Sequence, residues 1–149
     1  MLPHERVRRA IKDGAAGGNT ALVPFITAGY PEPNTFIDTL HAVASVGDVV
    51  EIGVPFSDPM ADGMTIQRSS FSAIENGVTL RWIFEQLDRS GKHVGIPIVM
   101  MSYLNPLLAF GYEALAQRAR DTGVCAFIVP DLPFEESEEI RMALEANGV

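Results

Sequence analysis

The chain has a single cysteine, Cys125, among its 149 residues. It can therefore close no internal disulfide, and a reducing compartment suits it. Positive charge is also scarce: 11 Lys and Arg stand against 19 Asp and Glu, a formal net charge of −8. A field of that sign repels nucleic acid and anionic membranes, so neither is expected as a partner. An anionic ligand would depend on local features, such as backbone amides at helix starts. Long apolar runs are missing, and none approaches the roughly 20 residues that a membrane-spanning helix needs. The start, Met1-Leu2-Pro3-His4-Glu5-Arg6, carries charge with no apolar stretch behind it. It does not read as a secretory leader, and a cytoplasmic setting is expected. His4, His41 and His93 are dispersed, without metal-ligand spacing, so no metal site is expected.

What is present is a core-forming composition, 47% hydrophobic, arranged as short apolar runs alternating with helical patterns. Ala21–Ala28 reads as a first strand, ended by Gly29-Tyr30-Pro31. Phe36, Ile37, Leu40 and Val43 follow at helical spacing, with Asn34 as N-cap and Gly47 as stop. Val49–Val54 is a second strand. After a long polar loop, Ile83, Phe84 and Leu87 mark a helix from near Thr79 to Gly91 that packs on the sheet with Trp82. Pro97–Tyr103 is a third strand, and Tyr112, Leu115, Ala116 and Ala119 give the next helix. Cys125–Pro130 is a fourth strand, with Cys125 in the core. The acids around Glu135 read as a solvated helix start, which suits the helix dipole. Near-continuous apolar strands mark a parallel sheet covered on both faces. A doubly wound dinucleotide fold would carry a glycine-rich turn after its first strand. The turn here is Thr27-Ala28-Gly29-Tyr30-Pro31-Glu32-Pro33. The expectation is therefore α/β of the (β/α)8 TIM-barrel type. Residues 1–149 form part of a single domain and supply about the first four of its eight units, a half barrel.

Glu51 is the most informative residue. Strand alternation points Val49, Glu51 and Gly53 one way and Val50, Ile52 and Val54 the other. A carboxylate in such a strand is costly unless it is paired or its pKa rises. It reads either as a structural glutamate, paired or wetted at the strand end, or as a general acid/base near the catalytic rim of a barrel. The loop that follows, Pro55-Phe56-Ser57-Asp58-Pro59-Met60-Ala61-Asp62-Gly63, brings two more carboxylates to that rim. Asp before Pro or Gly is also ordinary turn chemistry.

The run from Glu51 to Gly63, followed by Thr65-Ile66-Gln67, resembles the signature of the tryptophan synthase alpha chain family. Further matches are Pro24-Phe25-Ile26-Thr27-Ala28-Gly29-Tyr30-Pro31, Asn76-Gly77-Val78-Thr79, Met101-Ser102-Tyr103-Leu104-Asn105-Pro106, and Pro130-Asp131-Leu132-Pro133 with Glu135-Glu136-Ser137. The resemblance implies a lyase that splits indole-3-glycerol phosphate into indole and glyceraldehyde 3-phosphate in tryptophan biosynthesis. It implies that Glu51 moves protons at the indole carbon and the side-chain hydroxyl, and that Asp62 holds the indole N–H and stabilises the cationic intermediate. Phe25, Met101, Tyr103 and Ile128 match indole-pocket positions. Asp58, Asn105 and Pro133 match segments facing a partner beta chain in an alpha2-beta2 tetramer. Pyridoxal phosphate belongs to that partner, and this chain is expected to hold no cofactor or metal.

Two departures stand out. Gly47-Asp48 is one residue shorter than the family's usual Gly-Ala-Asp, which could re-aim Glu51. Met64 replaces a usual proline, which would loosen the loop holding Asp62. The chain also stops where a fifth strand is expected, before the family's phosphate grip. On that reading the polypeptide alone is expected to have little or no turnover and to self-associate through open strand edges. The alternative is a non-catalytic role in which it binds and modulates the beta chain. Among other phosphate-binding barrels, a pentose-phosphate epimerase or an indole-glycerol-phosphate synthase is the rival, and the Glu51-to-Asp62 run argues against both.

Overall fold

The computed structural model describes residues 1–90 and 94–149. The expected helix end at Gly91 and the expected surface histidine His93 lie outside the described residues. Four strands, β1 (Phe25–Thr27), β2 (Val50–Gly53), β3 (Ile98–Met101) and β4 (Val124–Ile128), form one sheet in sequence order. Every neighbouring pair is parallel. The helices are α1 (Pro3–Gly14), α2 (Phe36–Ala44), α3 (Met64–Glu75), α4 (Leu80–Arg89), α5 (Leu104–Phe110), α6 (Tyr112–Thr122) and α7 (Glu138–Ala146).

Alternation along the strands sorts the side chains into two faces. Val50, Ile52, Ile98, Met100 and Val124 point to the helices and join Phe36, Leu40, Ile83, Phe84, Leu87, Leu107, Leu115, Ala119 and Ile140 in one core. The helices that close this core therefore all cover the same face. The other face carries Phe25, Glu51, Gly53, Val99, Met101, Ala126 and Ile128, which pair across the ladder. Among the described residues the helices that supply the core lie on the opposite face, which is the arrangement of half a barrel. A bulge in β4 aligns the last strand: Ile98 pairs with Val124, yet Val99 pairs with Ala126, leaving Cys125 as the extra residue. Cys125 is buried as expected, its thiol donating to the Gly123 carbonyl at 3.4 Å, and burial pushes that thiol's pKa up. Bulges of this kind re-aim side chains near functional rims.

The expected elements are recovered with trimmed ends. β1 begins at Phe25 rather than Ala21, and α2 is entered through a 3-10 turn, Pro33–Thr35, with Thr35 rather than Asn34 at its N-cap. α4 begins next to Thr79 as expected, and Thr79 caps it, accepting from the Trp82 amide at 3.2 Å. Three α-helices arise where the sequence reading placed none: α1, α3 and the short α5 directly after β3. α1 begins with Pro3 at its first turn and the Leu2 amide donating to the Glu5 carboxylate at 2.9 Å, and it lies beside β4 with no fully buried residue. α3 occupies the second half of the stretch read as a polar loop. Its buried positions are Ser69, Ser70 and Ala73, so it packs through small and hydroxyl side chains that leave no apolar periodicity. No helix among the described residues is long and apolar enough to cross a membrane.

The helix-side core is expected to dominate stability. Phe84 is 0% exposed, against Phe110 at 5.5 Å between ring centroids and beneath the Arg118 guanidinium. Phe84→Ala is expected to lose about 3–5 kcal/mol in denaturant unfolding. Phe71→Ala, on a side chain 61% exposed, should change stability by less than about 0.5 kcal/mol. Equal losses for the two would contradict this assignment of the core.

Candidate active site

Glu51 projects from β2 onto the uncovered face, opposite Phe25 on one side and Val99 on the other. The shortened turn before it leaves this aim intact because Asp48 clasps the start of the sheet. The Asp48 amide donates to the Leu22 carbonyl at 2.8 Å, and the Leu22 amide donates to the Asp48 carboxylate at 2.8 Å. Gly53, on the same face as Glu51, is where the Phe25 ring lies. A Cβ there would come within 2.3 Å of that ring, so the strand's glycine makes room for an aromatic side chain beside the carboxylate.

Glu51 is half-buried, and no cation or hydrogen-bond donor among the described residues meets its carboxylate. Burial, and then the neighbouring Asp62 charge, hold its pKa above the ordinary value of 4.5. The paired structural glutamate of the sequence reading is therefore not what the fold builds.

The rim above it is stitched together loop by loop. Tyr103, 3% exposed at the N-cap of α5, is the central stitch. Its ring stacks on Phe56 at 5.2 Å between centroids. Its hydroxyl accepts from the Ala61 amide at 2.9 Å and donates to the Asp62 carboxylate at 3.0 Å. Burial is the first cause that raises the Tyr103 pKa, so the phenol keeps the proton it donates. One loop further on, the Leu104 amide donates to the Asp131 carboxylate at 2.9 Å, tying the segment after β4 to the one after β3. On the other flank Thr27 and Ser69 share a buried hydroxyl hydrogen bond of 2.7 Å, fixing α3 to the end of β1. The Gln67 side-chain amide donates to the Asp62 main-chain carbonyl at 2.9 Å.

The expected site residues divide into two groups. Phe25, Glu51, Met101 and Ile128 share the uncovered face, with Met101 and Ile128 side by side in register. Ile128 is 43% exposed there. Tyr103 joins them through Asp62 rather than as an apolar wall, because its hydroxyl is spent on that carboxylate and on the Ala61 amide. Asp58, Asn105 and Pro133 are exposed on segments that follow the C-terminal ends of β2, β3 and β4. Asp58 accepts from the Ser57 hydroxyl at 2.7 Å. Phe56 and Gln67 were quoted in the signature without a role, and only the fold shows what they hold. A groove of about 330 Å³, lined by Phe56, Pro59, Met64, Gln67, Arg68 and Phe71 among others, runs along the loop and α3 without including Glu51 or Asp62. Among the described residues no His, Cys, Asp and Glu cluster with metal-binding geometry occurs.

A parallel four-stranded sheet in sequence order, with its core helices on one face, defines the chain as part of a (β/α) barrel. Residues 11–149 match the family model described as tryptophan synthase alpha chain, and the chain belongs to that family. It is 44% identical over 145 residues to the tryptophan synthase alpha chain of Nitratidesulfovibrio vulgaris strain DP4, covering 97% of this chain and 56% of that relative. The tryptophan synthase alpha subunit from Legionella pneumophila superposes with a TM-score of 0.89 at 32% identity, over 100% of this chain and 56% of that one. A chain of the tryptophan synthase complex from Pyrococcus furiosus gives 0.80 at 36% identity, over 87% of this chain and 53% of that one. The chain thus spans little more than half the length of the relatives it matches, and its sheet corresponds to the first half of their barrel.

The raised Glu51 pKa fixes a sign for stability against pH. The folded state binds the Glu51 proton more tightly than the unfolded chain does. As pH rises from 4.5 toward the higher folded value, the unfolded chain ionises first and stability falls. Below 4.5 both states are protonated and the contribution is nil. Glu51→Gln is therefore expected to stabilise the protein at about pH 7 and to leave it unchanged at about pH 4. A gain of equal size at both, measured by denaturant unfolding, would contradict the assignment.

Proposed function

We propose that this chain supplies the acid/base carboxylate pair of a lyase that cleaves indole-3-glycerol phosphate to indole and glyceraldehyde 3-phosphate, working in the cytoplasm in tryptophan biosynthesis. The supporting observation is the juxtaposition of an unpaired, half-buried Glu51, whose pKa is raised, with an Asp62 carboxylate held by Tyr103.

In this reading Glu51, protonated, delivers its proton to the indole C3. The ring becomes cationic, and Asp62 accepts from the ring N–H while its charge stabilises the cation. The Glu51 carboxylate then takes the proton of the side-chain hydroxyl. The bond from C3 to the glycerol carbon breaks, its electron pair restores the aromatic ring, and the aldehyde leaves. Proton count is conserved, with one given and one taken by the same carboxyl. Phe25, Met101 and Ile128 supply an apolar bed for a flat ring. Tyr103 positions Asp62 by donating to it.

The test is indole release from indole-3-glycerol phosphate, paired with NMR shift changes at Phe25 and Met101 to report binding. Relative to the small release expected of the wild-type chain, Glu51→Gln and Asp62→Asn are each expected to abolish release, with binding by Glu51→Gln kept within about threefold. Release that persists unchanged in Glu51→Gln, or substrate that leaves Phe25 and Met101 unperturbed, would overturn the reading.

A second reading concerns the rim. Asp58, Asn105 and Pro133 are exposed on three successive segments at the same end of the sheet, a surface suited to docking a beta chain. That partner would carry the pyridoxal phosphate and take up the indole. In sedimentation with a tryptophan synthase beta chain, Asp58→Arg with Asn105→Arg is expected to weaken association by more than about tenfold. Unchanged association would remove this surface from the account.

A further inference from the structure

We infer that Gln67 is a positioning residue for Asp62: from the first turns of α3 it holds the Asp62 main-chain carbonyl, so that the peptide following the carboxylate cannot swing. The inference rests on the reading of Asp62 as the group that meets the indole N–H.

Gly63 follows Asp62, has an extended backbone, and has no heavy atom within 4 Å of where a Cβ would be. Gly63 thus brings no side-chain packing to hold this part of the loop. Among the described residues no backbone amide donates to the Asp62 carbonyl, because the first intrahelical bond of α3 runs from the Gln67 amide to the Gly63 carbonyl at 3.0 Å. The Gln67 side chain reaches one residue further back and donates to the Asp62 carbonyl at 2.9 Å. One residue thus grips two consecutive carbonyls, its amide on Gly63 and its side chain on Asp62.

On the other side of the Asp62 Cα, Tyr103 holds the Ala61 amide and the Asp62 carboxylate. Asp62 is then fixed from both directions along the chain. The brace is itself anchored, since two residues along α3 Ser69 bonds to Thr27 at 2.7 Å within the core. A side chain placed on a rigid, anchored helix sets geometry more tightly than one on a loop. This also answers the expectation that Met64, standing where a proline is usual, loosens the loop. α3 starts at Met64 regardless, and the restraint comes from Gln67.

The test uses Gln67→Met, close in shape but without a donor, with Gln67→Ala as a second variant and Phe71→Ala on the same helix as a control. The primary readout is the Glu51 carboxyl titration followed by carbon NMR, which reports where the Asp62 charge sits whether or not turnover occurs. In both Gln67 variants the Glu51 titration midpoint is expected to fall toward 4.5. Affinity for indole-3-glycerol phosphate should fall about fivefold, and Phe71→Ala should change neither. A Glu51 midpoint and affinity unchanged in the folded Gln67→Met protein would overturn the inference. So would shifts of equal size in Phe71→Ala. If the midpoint falls but the wild-type chain binds no indole-3-glycerol phosphate, the brace stands and the reading of Asp62 fails instead.

Discussion

The parity of β2 is the constraint from which the site follows. Val50 and Ile52 are fully buried against the helices, and a strand repeats every two residues. Glu51 between them must therefore take the opposite face. Sliding the strand by one residue would push a carboxylate into the helix-side core and lift two aliphatic side chains out of it. The same burial that stabilises the fold thus delivers an acidic group to the uncovered face. The position also sets the chemistry, because partial burial next to another carboxylate disfavours the charged form.

Asp62 reaches the same place by a different route. It is on a loop, and a loop carboxylate gains a defined position only from bonds. Three segments supply them: Tyr103 from the end of β3, Gln67 from α3, and, behind α3, Thr27 at the end of β1. Sequential strand order makes this possible, since β1, β2 and β3 are neighbours and their following segments meet at one rim. The two carboxylates consequently differ in kind. One is half-buried beside a like charge, which raises its pKa, while the other accepts the Tyr103 phenol hydrogen bond.

Much of this was legible in the amino-acid order. The four strands and the helices α2, α4 and α6 announced themselves through apolar runs and 3.6-residue spacing, while α7, which fully buries only Ile140, was marked by the acids at its start. Glu51 stood out because a carboxylate inside such a run demands an explanation. α3 stayed hidden for the converse reason: Ser69, Ser70 and Ala73 form its buried side, and hydroxyls satisfied by Thr27 and by the helix itself look like loop composition. α1 stayed hidden because it buries no residue fully. The role of Tyr103 was half visible. Its place at the rim could be read, but its hydrogen bonds to residues 61 and 62 span some forty positions and need the register of β2 against β3. The bulge at Cys125 had no sequence mark, since alternation from Cys125 onward is regular and the extra residue falls at its start.

The central claim is that Glu51 and Asp62 share one site on the uncovered face. It is tested most directly by titrating the Glu51 carboxyl in the wild-type chain and in Asp62→Asn. The account requires a wild-type midpoint above 4.5, lowered in Asp62→Asn yet still above 4.5, because burial is the larger cause and the Asp62 charge the smaller. A Glu51 that titrates at 4.5 in both proteins would show a solvated side chain with no carboxylate neighbour and would contradict the account.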